Sequence, residues 1–194
     1  MASWCHQQLL DSPRTRGPTH VARHPVGGII PGRQTGTFSG GLAQGARLLD
    51  AKALDAQGTG LPTDIAAALT WAGREDADVV VASFGLENDE PVVRRAVSAL
   101  VARGVLVIAA TGNGYGAFDM YPALYRGVLG VTAYDSRGQR LELANWRGAD
   151  VAAPGDDIWA PTLGDGYAPV SGTSVATAMG GGIDCGLRRS STLR

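Results

Sequence analysis

The residues best suited to chemistry lie near the end of the chain, in the segment Ser171-Gly-Thr-Ser-Val-Ala-Thr-Ala178. Ser174 follows a Gly-Thr pair and precedes small residues that favour a helix, so this spacing predicts a serine in the first turn of a helix. The unpaired amides and the dipole of a helix N-terminus stabilise negative charge that develops on a bound acyl group. Ser174 is therefore a candidate nucleophile. The alternative is an ordinary helix cap, since Ser and Thr are common there.

A second polar residue follows an apolar run, 105–110, that predicts a buried strand. The run leads into Thr111-Gly-Asn-Gly114, which places the carboxamide of Asn113 at the carboxyl edge of the predicted sheet. Open α/β sheets hold their binding sites at this edge. Asn113 is therefore a candidate hydrogen-bond donor for the same site as Ser174.

Strands and helices alternate along the chain, which predicts an α/β fold with a doubly wound, mostly parallel sheet and helices on both faces. The predicted strands are 47–52, 79–83, 105–110 and, with its turn, 128–135. The first predicted helix is 63–71, with Thr63 as its N-cap. The second is 89–103, which Asp89 and Pro91 open and Gly104 ends.

Taken in order, these segments resemble the subtilases, the subtilisin-like serine peptidases. The segment around Ser174 is similar to their Gly-Thr-Ser-x-Ala block, and the segment around Asn113 to their Ala-Ala-Gly-Asn block. Four more segments resemble family blocks: Gly41–Leu49, Val79–Gly85, Tyr121–Tyr125 and Asp150–Gly155.

The resemblance covers residues 26–183 and predicts one incomplete subtilisin-like domain. We expect residues 1–25 to be an irregular segment outside it and residues 184–194 to be a polar, irregular tail. Gly180–Gly182 should interrupt the helix that follows Ser174, because glycine lowers helix stability by roughly 1 kcal/mol relative to alanine. The abrupt loss of the pattern at both ends predicts a truncated or frame-disrupted gene copy.

The resemblance implies a serine-type endopeptidase that hydrolyses polypeptides through an acyl-enzyme on Ser174, with Asn113 as an oxyanion-hole donor. It also implies two segments that line the substrate strand and its side-chain pocket. Their residues are Ser83, Phe84 and Gly85 in one segment and Ala110, Thr111 and Gly112 in the other.

A serine nucleophile needs a histidine that takes its proton and a carboxylate that orients the histidine. The family's histidine block is matched only in part, by His20 or by His24. We prefer His24, because Pro25 suits the first position of a helix; the alternative is that both are exposed loop histidines. Asp11 is the one remnant of the family's aspartate motif, with Pro13 where the family has glycine.

This incomplete block predicts at best a slow peptidase. In serine peptidases with a Ser-His-Asp triad, loss of the carboxylate alone lowers turnover by about four orders of magnitude. The alternative function is a catalytically inactive subtilase-like fragment or a peptide-binding module. A phosphate-binding α/β protein is disfavoured, because neither Gly-x-Gly-x-x-Gly nor a Walker lysine follows a strand.

Composition restricts the remaining function classes. A chain of 194 residues with 44% apolar content supports one core. A net charge of −1 without a basic cluster argues against nucleic acid or an anionic membrane as partner. The apolar runs are too short to span a bilayer. Cys5 and Cys185 suggest neither a disulfide framework nor a metal site.

The sequence leaves three properties open or without a readable signal. No cofactor is required, although a bound calcium ion would be in keeping with the family; no calcium site is readable. No secretory signal is readable either, so localisation stays open. The oligomeric state is likewise open.

Overall fold

The computed structural model of the chain describes residues 25–30, 32, 34, 39–44, 46–55, 57–162 and 166–192. These residues contain a four-stranded sheet, a two-stranded sheet and four helices. The larger sheet consists of β1 (Val79–Ala82), β2 (Leu106–Ala110), β3 (Val128–Tyr134) and β4 (Val151–Pro154). The smaller consists of β5 (Ile158–Pro161) and β6 (Tyr167–Val170). The helices are α1 (Pro25–Ile29), α2 (Pro62–Arg74), α3 (Pro91–Ala102) and α4 (Thr173–Thr192).

The larger sheet is parallel throughout, and its strands lie in chain order, β1-β2-β3-β4. Val81 lies opposite Ile108 on the neighbouring strand, and Ala109 lies opposite Gly130. Because all four strands run the same way, their carboxyl ends meet at one edge. The predicted α/β fold with a parallel sheet is confirmed.

Helices cover both faces of this sheet, and β2 shows why. Side chains of a strand alternate between faces. Val107 and Ala109 pack with α2 and α3 through residues that include Val97, whereas Ile108 packs on the opposite side with α4 through Ala176. A strand buried on both faces must be apolar at every position, which explains the uninterrupted apolar run.

Helices α2 and α3 each begin at a proline, α2 with Pro62 and α3 with Pro91. Proline suits the first helical position because its missing N–H has no partner to lose there. The predicted cap at Thr63 is therefore wrong: Thr63 is the second residue of α2. Asp89 likewise precedes α3 and forms an ion pair with Arg94 instead. Gly104, in the left-handed region, follows the end of α3 as predicted.

The predicted strand at 47–52 is wrong, because the structure shows no strand pairing there. Within the described residues, β1 is hydrogen-bonded on one side only, to β2. A strand exists only where another backbone accepts and donates its hydrogen bonds. The two leucines of this segment, Leu48 and Leu49, are half-buried without forming a ladder.

The predicted interruption of the last helix is also wrong, because α4 continues through its three glycines to Thr192. The predicted irregular tail is thus helical over 184–192. The glycines allow a close approach: a Cβ on Gly181 would lie 2.6 Å from Val81 Cγ2, and one on Gly182 would lie 2.9 Å from Leu42 Cβ. Tertiary packing therefore outweighs the low helix propensity of glycine.

Among the residues that the structure covers, no helix has both the length and the apolar character needed to cross a membrane.

Candidate active site

The candidate site lies where β1 and β2 end and α4 begins. Ser83 follows β1 directly, and the segment 111–113 follows β2. Thr173 is the first residue of α4, and Ser174 is the second. The parallel sheet brings these three chain segments to one edge, which is the arrangement that the sequence predicted for Ser174 and Asn113.

Ser174 is half-buried, and its side chain contacts the end of β1. Ser174 Oγ donates a hydrogen bond to the carbonyl oxygen of Ser83 at 3.1 Å. In return, Ser83 Oγ donates to the carbonyl oxygen of Ser174 at 3.2 Å. The first hydrogen bond directs the hydroxyl of Ser174 toward the end of β1, and the second joins the main chain of α4 to the same strand end.

Asn113 is joined to the residue immediately before Ser174. Asn113 Oδ1 accepts hydrogen bonds from the main-chain N–H and from the hydroxyl of Thr173, both at 3.0 Å. Thr173 Oγ1 in turn accepts from the N–H of Gly112 at 3.2 Å. The carboxamide oxygen of Asn113 thus caps the start of α4. The donor end of the same carboxamide, Nδ2, lies on the opposite side of the group.

Thr173 is a site residue that the sequence analysis missed. Thr173 is fully buried. Its hydroxyl donates a hydrogen bond to Asn113 Oδ1 and accepts one from the N–H of Gly112, so it joins the start of α4 to the segment after β2. The signal was present in the Gly-Thr-Ser pattern, but its role depends on contacts across 60 residues of chain, which spacing alone does not reveal.

The predicted substrate segments differ in their exposure. Phe84, Gly85 and Gly112 are half-buried, whereas Ser83, Ala110 and Thr111 are buried. The polar groups of Thr111 are all used internally. Its N–H donates to Val131, its hydroxyl to Val131 and Asn145, and its carbonyl accepts from Asn145. The side chain of Thr111 thus supports the segment from below and does not line its surface.

The gap between the two substrate segments is filled by the side chain of Met120. A Cβ on Gly85 would lie 2.3 Å from Met120 Cε, and one on Gly112 would lie 2.7 Å from Met120 Cγ. Two main-chain hydrogen bonds of 2.8 Å between Leu86 and Tyr121 hold Met120 there. The sequence analysis predicted a side-chain pocket at this place and did not single out Met120.

The remaining predicted site residues cannot be placed. His24, its alternative His20 and the candidate carboxylate Asp11 all lie outside the described residues. The helix that follows, α1, does begin at Pro25. It packs against α4 in a cluster that contains Val26 and Val175.

Within the described ranges, no group of three or more His, Cys, Asp or Glu residues is arranged to hold a metal ion. This observation does not reach the rest of the chain, so the expectation about calcium stays a prediction.

A parallel α/β sheet with a serine at the start of a buried helix, and an asparagine on the adjoining strand end, defines a class of serine hydrolase sites. The family model described as "Subtilase family" matches residues 19–183. The chain belongs to the subtilase family.

Curated relatives support this assignment and show how much of them the chain represents. The chain is 34% identical over 166 residues to M-protease of Shouchella clausii (strain KSM-K16), covering 85% of this chain and 42% of the relative. It is 35% identical over 160 residues to Subtilisin Savinase of Lederbergia lenta, covering 82% and 58% respectively. The chain therefore spans about half the length of these relatives.

Solved structures agree with the fold. The prenylagaramide maturation protease PagA has a TM-score of 0.79 and 26% identity, over 93% of this chain and 69% of PagA. The self-cleaved protease domain of PatA has a TM-score of 0.76 and 27% identity, over 86% of this chain and 68% of that domain. The fold is subtilisin-like.

Proposed function

We propose that this chain is a serine-type endopeptidase that hydrolyses peptide bonds of polypeptide substrates through an acyl-enzyme on Ser174. The observation that carries the proposal is the placement of the Ser174 hydroxyl at the first turn of α4, next to the residue that Asn113 caps. The family and its named peptidases support the reaction class.

In the first step, Ser174 Oγ leaves the carbonyl of Ser83 and attacks the substrate carbonyl carbon. The hydroxyl proton passes to a histidine, for which His24 is our candidate and His20 the alternative. The π electrons of the substrate carbonyl move to the carbonyl oxygen. The resulting oxyanion accepts hydrogen bonds from Asn113 Nδ2 and from N–H groups at the start of α4. No cofactor takes part in this proposal.

The tetrahedral intermediate then collapses, which breaks the C–N bond. The leaving amine takes the proton from the histidine, and the acyl group stays on Ser174 as an ester. Water then attacks the ester carbon and gives a proton to the histidine. The second tetrahedral intermediate collapses with cleavage of the bond between carbon and Ser174 Oγ, the histidine returns the proton to Oγ, and the new carboxyl terminus is released.

The rate should be low, because the aspartate motif that orients the histidine has only Asp11 as its counterpart. The oxyanion hole and substrate binding alone still provide roughly 10³- to 10⁴-fold acceleration over water. We therefore expect slow acylation of Ser174.

The test is to treat the folded chain with a fluorophosphonate probe and to locate the adduct by peptide mass spectrometry. Labelling should be slow, should reach one equivalent, and should be abolished in Ser174→Ala. The matched control is Ser171→Ala, an exposed serine in the same segment whose hydroxyl contacts Asp156 and the N–H of Asp157. It should label like the unchanged chain.

One outcome contradicts the proposed reaction, and another contradicts only the expected low rate. A cooperatively melting chain that stays unlabelled would favour the alternative, an inactive subtilase-like protein that at most binds peptides. Rapid labelling would mean instead that a histidine and a carboxylate complete a working triad, and that the expected low rate is wrong.

A further inference from the structure

The side chain of Asn145 is buried beneath the loop that carries Asn113. We call residues 111–118 the Asn113 loop. Asn145 is 1% exposed. Asn145 Oδ1 accepts hydrogen bonds from the N–H of Gly114 at 3.0 Å and of Gly116 at 2.7 Å. These two donors follow Asn113 in the chain.

The other end of the same carboxamide binds the loop on both flanks. Asn145 Nδ2 donates to the carbonyl of Thr111 at 3.0 Å and to that of Phe118 at 3.2 Å. The N–H of Asn145 adds a hydrogen bond of 2.8 Å to the carbonyl of Gly112. One residue therefore holds main-chain groups immediately before and immediately after Asn113.

The Asn113 loop contains no helix or strand whose hydrogen bonds could satisfy its main-chain N–H and carbonyl groups. Three of its residues, Gly112, Tyr115 and Gly116, have positive φ angles. Tyr115 and Phe118 are exposed, so the loop gains little from apolar packing of these side chains. Buried main-chain groups need partners, and Asn145 supplies four of them from a single side chain.

Asn145 is itself fixed to the sheet. Its carbonyl accepts hydrogen bonds from Thr111 Oγ1 at 2.8 Å and from Thr132 Oγ1 at 2.7 Å. Thr132 lies on β3, and Asn145 thereby links the loop after β2 to the neighbouring strand. Its position is determined by the sheet, while its side chain determines the position of the loop.

We infer that Asn145 is a positioning residue, which acts through Asn113 by holding the Asn113 loop where Nδ2 can meet an oxyanion. This inference rests on the proposed function. Asn145 makes no contact with substrate in this scheme. Its loss should lower the rate of the chemical step and leave substrate binding nearly unchanged, because a misplaced oxyanion donor weakens only the transition state.

The test is a double-mutant cycle with Asn113→Ala, Asn145→Ala and the double variant, measured as kcat and KM for a peptide substrate. Asn145→Ala should lower kcat by roughly 10- to 100-fold, the scale of a small displacement of a catalytic group, with KM changed less than about threefold. In the Asn113→Ala background it should lower kcat by less than about twofold, because its target is gone. Multiplicative losses in the double variant would overturn the inference.

Two further variants separate positioning from general destabilisation. Val97→Ala removes buried volume in α3, away from the site, and should lower the melting temperature while kcat stays within about twofold of the unchanged chain. Asn145→Asp keeps the acceptor oxygen for Gly114 and Gly116 but replaces the donor Nδ2 with a second oxygen, so it serves if Asn145→Ala does not fold. Asn145→Asp alone should lower kcat. Added to Asn113→Ala, it should leave kcat nearly unchanged, as Asn145→Ala does in that background.

A readout independent of activity distinguishes failure of this inference from failure of the proposed function. In the unchanged chain, the amide protons of Gly114 and Gly116 should exchange slowly with solvent. In Asn145→Ala their exchange should accelerate at least tenfold relative to that of amides in β2. Unchanged exchange would overturn the inference even if the chain proves inactive.

Discussion

Ser83 and Ser174 exchange two hydrogen bonds, each hydroxyl donating to the main-chain carbonyl of the other residue, at 3.2 and 3.1 Å. The pair joins the end of β1 to the first turn of α4 across 91 residues of chain. Because the acceptor of the Ser174 hydroxyl is a main-chain oxygen, side-chain variation at position 83 does not remove it. The resting position of the candidate nucleophile is therefore a property of the fold.

The role of Asn113 predicts a large kinetic effect of its truncation. Asn113→Ala should lower kcat by roughly two to three orders of magnitude with little change in KM, as loss of the corresponding oxyanion donor does in subtilisin. The measurement is steady-state hydrolysis of a peptide substrate. An unchanged kcat would reject the role.

The same variant should also affect stability. Asn113→Ala removes the cap on the main-chain N–H of Thr173, and loss of a helix cap costs about 1 kcal/mol. Denaturant unfolding of the unchanged chain and of Asn113→Ala measures the change in the free energy of unfolding separately from kcat. A folding defect is then not mistaken for a catalytic one.

Because Met120 fills the space between Gly85 and Gly112, we expect a preference for substrates with a small side chain before the scissile bond. Met120→Ala should vacate the space between Gly85 and Gly112. The ratio of kcat/KM for a large over a small side chain should then rise by roughly tenfold or more, the scale of a few methylene groups in a pocket. Paired peptides that differ only at this residue provide the measurement.

Met179→Ala is the matched control for this substitution. Met179 is also half-buried, and it packs in the clusters beneath α4 and not between the two glycines. It should lower stability without altering the preference. An equal change of preference in both variants would show that Met120 does not limit the pocket.

Two neighbouring glycines of α4 should respond to alanine with opposite signs. A Cβ at Gly181 would meet Val81 Cγ2 at 2.6 Å, whereas one at Gly180 would lie 3.8 Å from Val131 Cγ2, an ordinary contact. Gly180→Ala should raise the free energy of unfolding by up to about 1 kcal/mol through helix propensity. Gly181→Ala should lower it, since overpacking costs about 1–3 kcal/mol.

The free energy of unfolding from urea titrations of both variants checks this pair. Stabilisation by Gly181→Ala would mean that α4 does not approach β1 as closely as the structure shows.

Tyr125 predicts a loss of stability at high pH. Burial raises the pKa of Tyr125 to about 12, while the hydrogen bond that the main-chain N–H of Glu90 donates to the Tyr125 hydroxyl oxygen opposes the shift. The folded state thus keeps this proton after the unfolded state, with a pKa of about 10, has lost it. The stabilisation is complete below pH 10 and disappears as the pH rises from about 10 to 12.

Tyr125→Phe lacks this titration and is the natural comparison. The free energy of unfolding of the unchanged chain should fall relative to that of Tyr125→Phe between pH 10 and 12. Parallel curves over this range would contradict the assigned shift.

Local sequence was sufficient for the elements whose signals are local. The runs at β2 and β3 are apolar and bounded by glycine or a turn, so both strands were predicted within a residue of their observed limits. The Gly-Thr-Ser pattern likewise predicted Ser174 in the first turn of a helix, and Ser174 is the second residue of α4.

Other features depend on distant contacts and were missed for that reason. α4 continues through Gly180–Gly182 because Val81 and Leu42 pack where side chains would otherwise be. The functions assigned to Thr173, Met120 and Asn145 come from partners far away in sequence. Only Thr173 lies in a recognisable local pattern, and the local sequence at Met120 and Asn145 does not differ from that of an ordinary core or loop residue.

The central claim is that Ser174 is the nucleophile and that Asn113 Nδ2 stabilises the oxyanion. The most direct measurement is a crystal structure of the chain with a peptide boronic acid, which forms a tetrahedral adduct that imitates the intermediate. We predict a covalent bond from boron to Ser174 Oγ and a boronate oxygen within about 3.1 Å of Asn113 Nδ2. An adduct on another residue, or a boronate oxygen directed away from Asn113, would contradict the account.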